Sequence, residues 1–304
     1  MLVITNRQAG GAEDGALEAA AAVLRRDGKV SVVSCRSPQD VDAVLEGYPD
    51  EGTLVVAGGD GSLHAVVAAL HRRGELARRR LGLIPLGTGN DFARALGLPL
   101  DVAAAAHVVR DGQVRELDLL ADDAGGVAVN AVHAGAGARA ALAAAPWKRW
   151  LGPAAFPLGG VLAGVTARGW RLRVEADGAV LADGSDRILM VGVANTPSIA
   201  GGTAVLAAHA APDDGLADVV ISYATGPLTR LGYALRLRHG QHTDHPDVSA
   251  AQATTVTISG EDFPINTDGE VGGPVGRRTW TVLPRAWRVL APDRPPLRPP
   301  ERPP

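Results

Sequence analysis

The stretch Leu54-Val55-Val56-Ala57-Gly58-Gly59-Asp60-Gly61-Ser62 sets the reading of the whole chain. Four apolar residues run into a glycine-rich loop, and helix-like Leu63–Arg72 follows. A strand that turns through glycine into a helix gathers free backbone N–H groups at the positive end of the helix. That is a ready site for an anion. Glycine allows close backbone approach and positive φ there. Asp60 repels anions, so it fits only if it orients the loop or reaches Mg²⁺ through water. Taken by itself, this loop reads equally well as an ordinary βα turn. A second copy of the pattern shifts the balance. Leu83-Ile84-Pro85-Leu86 leads into Gly87-Thr88-Gly89-Asn90-Asp91-Phe92-Ala93-Arg94, with Asn90 lying 30 residues after Asp60. Thr88 offers a hydroxyl to a phosphate, and Asn90 or Asp91 is placed as a helix N-cap. Two such loops on consecutive parallel strands lie side by side at the carboxyl edge of a sheet, where α/β folds bind ligands.

Outward from these loops the pattern alternates. Strand-like Leu2–Thr5, Val30–Ser34, Leu54–Ala57 and Leu81–Pro85 are interleaved with helix-like Leu17–Arg25, Val41–Leu45, Leu63–Arg72 and Asp91–Leu96. Short apolar runs alternating with helices predict an α/β domain with a parallel sheet. The character changes near Asp118. Short β-like runs follow at Gly126–Val132, Arg171–Glu175, Arg187–Val193, Ala217–Ser222, Thr254–Ile258 and Thr279–Val282. Asp-Gly turns at 177–178, 183–184 and 214–215 punctuate them, which predicts an antiparallel β-sandwich or barrel, the sandwich being preferred. Helical stretches interrupt it at Ala154–Arg168 and Leu228–Arg238. The expected organisation is a nucleotide-binding α/β domain over 1–117 and a β-rich domain over 118–291, with its last segment open to returning to the first. A disordered Pro/Arg-rich tail is expected over 292–304.

Composition excludes several classes. Of 30 basic residues, Lys29 and Lys148 are the only lysines, leaving 28 arginines. Neither lysine sits in a Gly-Lys-Ser/Thr triplet, so a P-loop is excluded. A net charge of −3 argues against a general nucleic-acid binder. Cys35 is the single cysteine, which excludes intramolecular disulfides and a cysteine-based zinc site. The N-terminus lacks the charged segment and long apolar core of a signal peptide and reads as a first strand. Uncharged Leu151–Ala167 is at the short end of a membrane span and is broken by Pro153, Pro157 and four glycines. A buried or membrane-touching helical segment is the better reading.

In the order they occur, these motifs resemble the diacylglycerol/sphingosine/ceramide lipid-kinase family, most of all its soluble bacterial members. The resemblance covers nearly the whole chain. Gly58–Ser62 and Gly87–Ala93 carry it first. Thr5-Asn6-Arg7-Gln8-Ala9-Gly10-Gly11 is similar to the family's Asn-Pro-x-x-Gly nucleotide loop, with Arg7 in place of proline. Asp118 falls where the family has an Asp. Lys148–Phe156 is similar to a Lys-Arg…Gly-Pro segment, Ala211–Leu216 to an Asp-Gly-Leu segment, and Asp268-Gly269-Glu270 to the catalytic triplet.

The resemblance implies ATP- and Mg²⁺-dependent phosphorylation of a lipid hydroxyl. Asn6, Gly10, Gly58, Gly59, Asp60, Gly61, Ser62, Gly87, Thr88, Gly89, Asn90 and Asp91 are the implied nucleotide residues. Glu270, beside Asp268, is the implied general base. Asp118 is implied near metal, and Asp214 with the backbone of Leu216 at a structural Mg²⁺ site. Asp268-Gly269 also reads as a type I′ hairpin turn, which would project Glu270 into an interdomain cleft. Asp214-Gly215 reads equally as a surface turn. Arg7, Arg94 and Arg139 suit phosphate, though each also reads as a solvated charge. His64 reads as a polar helix residue and Cys35 as a small core or pocket residue. The expected partner is a lipid at the membrane surface, with no nucleic acid; a homodimer is left open. The expected location is cytoplasmic, with the inner membrane face as a peripheral site. Trp147–Phe156 could touch a bilayer or pack as a helix. The chain departs from the family pattern at His64, Ala65, Ala68 and Ala69, which weakens the helix-side polar network and leaves open a substrate shift or reduced activity, while Ser62 replaces the commoner threonine and keeps the hydroxyl. Two other readings compete: an NAD kinase, whose family shares Gly-Gly-Asp-Gly, and a nucleotide-binding regulator without turnover.

Overall fold

The computed structural model describes residues 1–6, 11–48, 52–138 and 168–293, with backbone alone at 11–14, 27 and 227. The expectations for Arg7, Gly10, Arg139, Lys148–Phe156, the helix up to residue 167 and the tail from residue 294 lie outside the described residues. The chain divides into two compact units, Met1–Asp118 with Arg285–Pro304, and Leu119–Pro284.

The first unit is α/β. Its strands are β1 (Leu2–Asn6), β2 (Ser31–Cys35), β3 (Gly52–Gly58) and β4 (Arg79–Pro85). Its helices are α1 (Gly11–Leu24), α2 (Pro38–Glu46), α3 (Asp60–Arg72), α4 (Asp91–Ala95) and α5 (Val102–Asp111). All ladders between its strands are parallel, in the order β4-β3-β1-β2. Residues Leu54–Gly58 of β3 are buried without a break. Continuous burial is what a parallel strand covered on both faces requires. Val3, Val55, Ala57 and Ile84 pack with Leu24, Ala106 and Val109 from α1 and α5. Helix α2 starts on a capping box, in which Ser37 and Asp40 cap each other across the first turn. Helix α5 was not foreseen in the sequence. It is alanine-rich, so its inward stripe of Ala105, Ala106 and Val109 gives little hydrophobic contrast. Its start is marked by Asp101, whose Oδ1 accepts the Ala104 N–H at 2.8 Å.

The second unit is antiparallel. Its elements are the end of β5 (Gln113–Asp122), β6 (Val127–Ala128), β7 (Ala131–Gly135), β8 (Trp170–Ala176), β9 (Ala179–Ile188), β10 (Met190–Ala194), β11 (Ser198–Ile199), β12 (Ala204–Val205), β13 (Ala217–Ser222), helix α6 (Pro227–Leu237), β14 (Val248–Ala253), β15 (Thr255–Thr267) and the start of β16 (Glu270–Ala291). The main ladder runs β14-β13-β10-β7-β15, and β15 also pairs with β8 and β16. The alternating burial along Trp170–Ala176 shows the two-residue period of a strand with one wet face. The sandwich core is built from Val132, Leu172, Val191, Val219, Phe263 and Trp280, among others. On the other side of β10 and β13, Met190, Leu206, Val220 and Tyr233 form a second cluster.

Three expectations need correction in detail, the first being Arg187–Val193, which is the end of β9 and the start of β10 on either side of Leu189. The run Gly126–Val132 is not one strand. It breaks between β6 and β7 at Val129-Asn130, whose amides turn towards Asp268. The third is β16, which spans 22 residues rather than the four foreseen at Thr279–Val282. Gly272, Gly273, Pro274, Gly276 and Pro284 read as breakers in the sequence, but strands tolerate them at irregular and edge positions. Residues 285–291 of β16 belong to the first unit, where Arg288 and Val289 pair in parallel with Arg80 and Leu81 of β4.

Candidate active-site residues

In the first unit the two glycine loops are locked together. The Leu86 N–H donates to the Gly58 carbonyl at 3.1 Å. A Cβ added at Gly59 would meet the Cα of Gly87 at 2.9 Å, and one at Gly87 would collide with the Cα of Gly59. Glycine is required at both places because backbone passes against backbone. Asp60 then crosses from one loop to the other. Its Oδ2 accepts the Asp91 N–H and its Oδ1 accepts the Phe92 N–H, each at 3.0 Å. The carboxylate caps α4 from outside that helix. Asn90 sits at the N-cap position but does not cap with its side chain. It adopts φ 54° and folds back on the loop, its Oδ1 accepting the Gly87 N–H at 3.1 Å and its Nδ2 donating to the Gly87 carbonyl at 2.6 Å. The expected N-cap role of Asn90 and Asp91 is therefore corrected: Asp60 takes it.

The use of Asp60 on α4 matters for α3. Helix α3 follows its N-cap Gly59, and no side chain among the described residues caps its first turn. Its leading amides, at Asp60, Gly61 and Ser62, are left for a group from outside the helix, and a helix N-terminus favours a negative one. Thr88 and Gly61 are exposed beside them, and Ser62 is half-buried. Asn6 closes β1 and is exposed. Arg94 is exposed, and its Nε donates to the Gly89 carbonyl at 3.3 Å, so it braces the second loop. Burial, and secondarily the charge of Asp40, push the Cys35 thiol up, away from any nucleophilic use.

Asp118 is 1% exposed. Its Oδ1 accepts the Arg285 N–H at 2.8 Å, and its carbonyl accepts the indole N–H of Trp287 at 3.0 Å. Trp287 stacks on Phe92 with ring centroids 5.2 Å apart. Asp118 thus ties the returning chain into the first unit, next to the helix that Asp60 caps.

In the second unit, Thr267 pairs with Glu270 across a two-residue turn. Asp268 has φ 50° and Gly269 has φ 97°, the positive pair that a type I′ turn demands. The two carboxylates of this turn have different surroundings. Asp268 accepts three backbone N–H groups, from Val129 at 2.6 Å, Asn130 at 2.8 Å and Ala131 at 3.1 Å. Glu270 is exposed. The clamp is reinforced from the other side, where the Asn195 Nδ2 donates to the Val129 carbonyl at 2.9 Å and Thr196 Oγ1 donates to Asn130 Oδ1 at 3.2 Å. His133, one strand position from this turn, is 7% exposed, and its Nδ1 is buried without a hydrogen bond. Burial lowers its pKa to about 4, against the opposing pull of the Asp268 charge. Asn130, Asn195, Thr196 and His133 carried no sequence signal, since they bind through contacts distant in the chain.

Asp214 lies on an exposed turn with Gly215 at φ 78°, and its Oδ1 accepts the Leu216 N–H at 3.0 Å. Nearby Asp218 is half-buried. Burial raises its pKa first, and the Asp214 charge raises it further. Among the described residues no group of three His, Cys, Asp or Glu side chains forms a cage for a metal. A pair of carboxylates fits Mg²⁺ better than a cage does, because that ion keeps several waters and takes one or two carboxylates plus phosphate oxygens.

The comparisons with known proteins bear on both units. Residues 1–121 match the diacylglycerol kinase catalytic domain, and residues 130–291 match the YegS C-terminal NAD kinase beta sandwich-like domain. The chain is 30% identical over 270 residues to a diacylglycerol kinase of Staphylococcus carnosus, covering 86% of this chain and 81% of the relative. This chain belongs to the diacylglycerol kinase family of lipid kinases. A Staphylococcus aureus diacylglycerol kinase is 32% identical over 264 residues, covering 83% of this lipid kinase and 79% of the relative. The fold agrees with that of a diacylglycerol kinase from Bacillus anthracis str. Sterne, at a TM-score of 0.76 and 21% identity over 96% of each chain. Both glycine loops of the lipid kinase fall within the first matched region, and the Asp268–Glu270 turn within the second.

Proposed function

We propose that this lipid kinase transfers the γ-phosphoryl group of ATP, with Mg²⁺, to the hydroxyl of diacylglycerol or a closely related lipid. The observation that carries the nucleotide half is the interlock of the two glycine loops, with Asp60 spent on α4 and the first turn of α3 left uncapped. Phosphoryl transfer demands positioning and charge neutralisation more than covalent chemistry. The amides of Asp60, Gly61 and Ser62 and the hydroxyls of Ser62 and Thr88 are the groups we assign to phosphate. Mg²⁺ would neutralise charge on the transferring group. A second Mg²⁺ at Asp214 would serve structure, relieving the repulsion between Asp214 and Asp218. Glu270 is the acceptor for the proton of the attacking hydroxyl. Asp268 acts on Glu270 only by holding the turn.

The test is incubation with γ-labelled ATP and a total lipid extract, followed by identification of the labelled product. A labelled lipid with the mobility of phosphatidic acid is expected. Label on NAD, offered in parallel, with none on any lipid would select the NAD kinase reading instead. ATP binding with no labelled product in either arm would select the regulator.

A further inference from the structure

Helix α6 turns an apolar face outwards. Leu228, Leu231 and Leu235 are 84%, 55% and 62% exposed, the three largest exposures of any large apolar side chain among the described residues. At 3.6 residues per turn the three leucines share about 60° of the helix circumference. The opposite face is anchored. Tyr233 is buried in the cluster of Met190, Leu206 and Val220, and its ring meets His242 edge-on at 5.6 Å. The helix is therefore held to the unit by one side while it exposes leucine on the other. Arg236 and Arg238 flank the stripe, one on each side of it, and Arg230 lies in the same helix. No acidic residue occurs between Asp218 and Asp244, although the chain as a whole carries −3.

From this arrangement we infer that α6 docks on an anionic lipid bilayer, with its leucines in the boundary between headgroups and acyl chains and its arginines on the phosphates. An apolar stripe bordered by arginine is the pattern of a helix lying in a membrane interface. Charge complementarity selects the bilayer over a second copy of the chain. An isologous contact would bring the same arginines of both copies together. Three leucines also supply far less than the roughly 800 Å² per partner of a standard protein interface. No helix among the described residues is long and apolar enough to cross a membrane, so a surface contact of this kind is how this unit would meet its lipid. The inference rests on the lipid-kinase reading for its purpose, but not for its test.

The experiment is sedimentation with vesicles made of equal parts phosphatidylcholine and phosphatidylglycerol, and with vesicles of phosphatidylcholine alone, in the absence of ATP. The full chain should bind the anionic vesicles more tightly than the neutral ones, and added salt should weaken that binding. The double variant Leu231→Gln/Leu235→Gln should lose vesicle affinity by about tenfold or more, since each leucine removes buried apolar area. Arg236→Gln/Arg238→Gln should lose the preference for anionic vesicles. Both variants should melt like the parent, and the parent should phosphorylate diacylglycerol dispersed in detergent micelles. Equal vesicle binding by the leucine variant and the parent would overturn the inference. So would a dimer of the parent that the leucine variant converts to monomer with vesicle binding unchanged. Failure of lipid phosphorylation in micelles would count against the reaction alone, because vesicle binding is read without turnover.

Discussion

At the scale of single residues, Asp268 and Glu270 lie two positions apart in one turn and part company in role. Asp268 satisfies three backbone N–H groups, and each such donor left unpaired costs about 1–3 kcal/mol. Asp268→Ala should therefore cost at least about 3 kcal/mol, seen as a melting temperature lower by roughly 5–10 °C. Glu270→Gln, at an exposed position, should leave the melting temperature unchanged. Differential scanning calorimetry of the two variants separates holding from chemistry; equal destabilisation would undo the distinction. His133 adds a pH dependence. Burial depresses its folded pKa from 6.5 to about 4, so the unfolded chain binds the extra proton between those values. Stability from this group is complete above about pH 6.5 and declines as pH falls towards 4, by on the order of 3 kcal/mol. His242 is shifted in the same direction by burial, so it steepens the decline. Denaturant midpoints measured from pH 7 to pH 4 should flatten, without becoming level, in His133→Gln. The Asp-Gly turn was legible from two letters, because a type I′ turn has a local sequence signature. The clamp on Asp268 was not, since its donors lie more than 130 positions earlier in the chain.

At the scale of elements, the decisive contact is glycine on glycine. Both loops were legible because strand, glycine and helix follow one another locally, and consecutive parallel strands must lie near each other. What the sequence left open was the use of Asp60. Its carboxylate caps α4, a helix of five residues, and so leaves the first turn of α3 without a side-chain cap. Gly87→Ala would force the two loops apart, at about 1–3 kcal/mol for the added atom. If the misplacement falls on the amides we assign to phosphate, ATP affinity by calorimetry should drop by about tenfold or more, with the β-rich unit unaffected. Unchanged ATP affinity would show that the interlock does not shape the nucleotide site. Helix α5 and strand β16 show the limits of pattern reading. An alanine-rich helix lacks apolar contrast, and a strand containing five Gly or Pro residues looks broken until its partners β15 and β4 are known.

At the scale of the whole molecule, the chain leaves the first unit at Asp118 and re-enters it at Arg285. The Asp118 carboxylate and carbonyl receive Arg285 and Trp287, and Trp287 stacks on Phe92 of α4. An aspartate read in the sequence as a metal residue is thus first a fastening for the returning strand. Removing the buried indole by Trp287→Ala should cost about 3–5 kcal/mol and loosen α4, which Asp60 also holds. A melting curve within 1 °C of the parent, a margin of about measurement error, would contradict that coupling. The two-part architecture was legible from the change of pattern near Asp118, whereas the return of the last strand needed the partner β4 to be visible. The central claim is transfer of phosphoryl from ATP to a lipid hydroxyl with Glu270 taking the proton. The measurement that tests it most directly is transfer of label from γ-labelled ATP to diacylglycerol in mixed micelles by the parent and by Glu270→Gln, with ATP binding measured on both. The account predicts labelled lipid from the parent, none above background from the variant, and equal ATP affinity. Parental turnover in Glu270→Gln would contradict it.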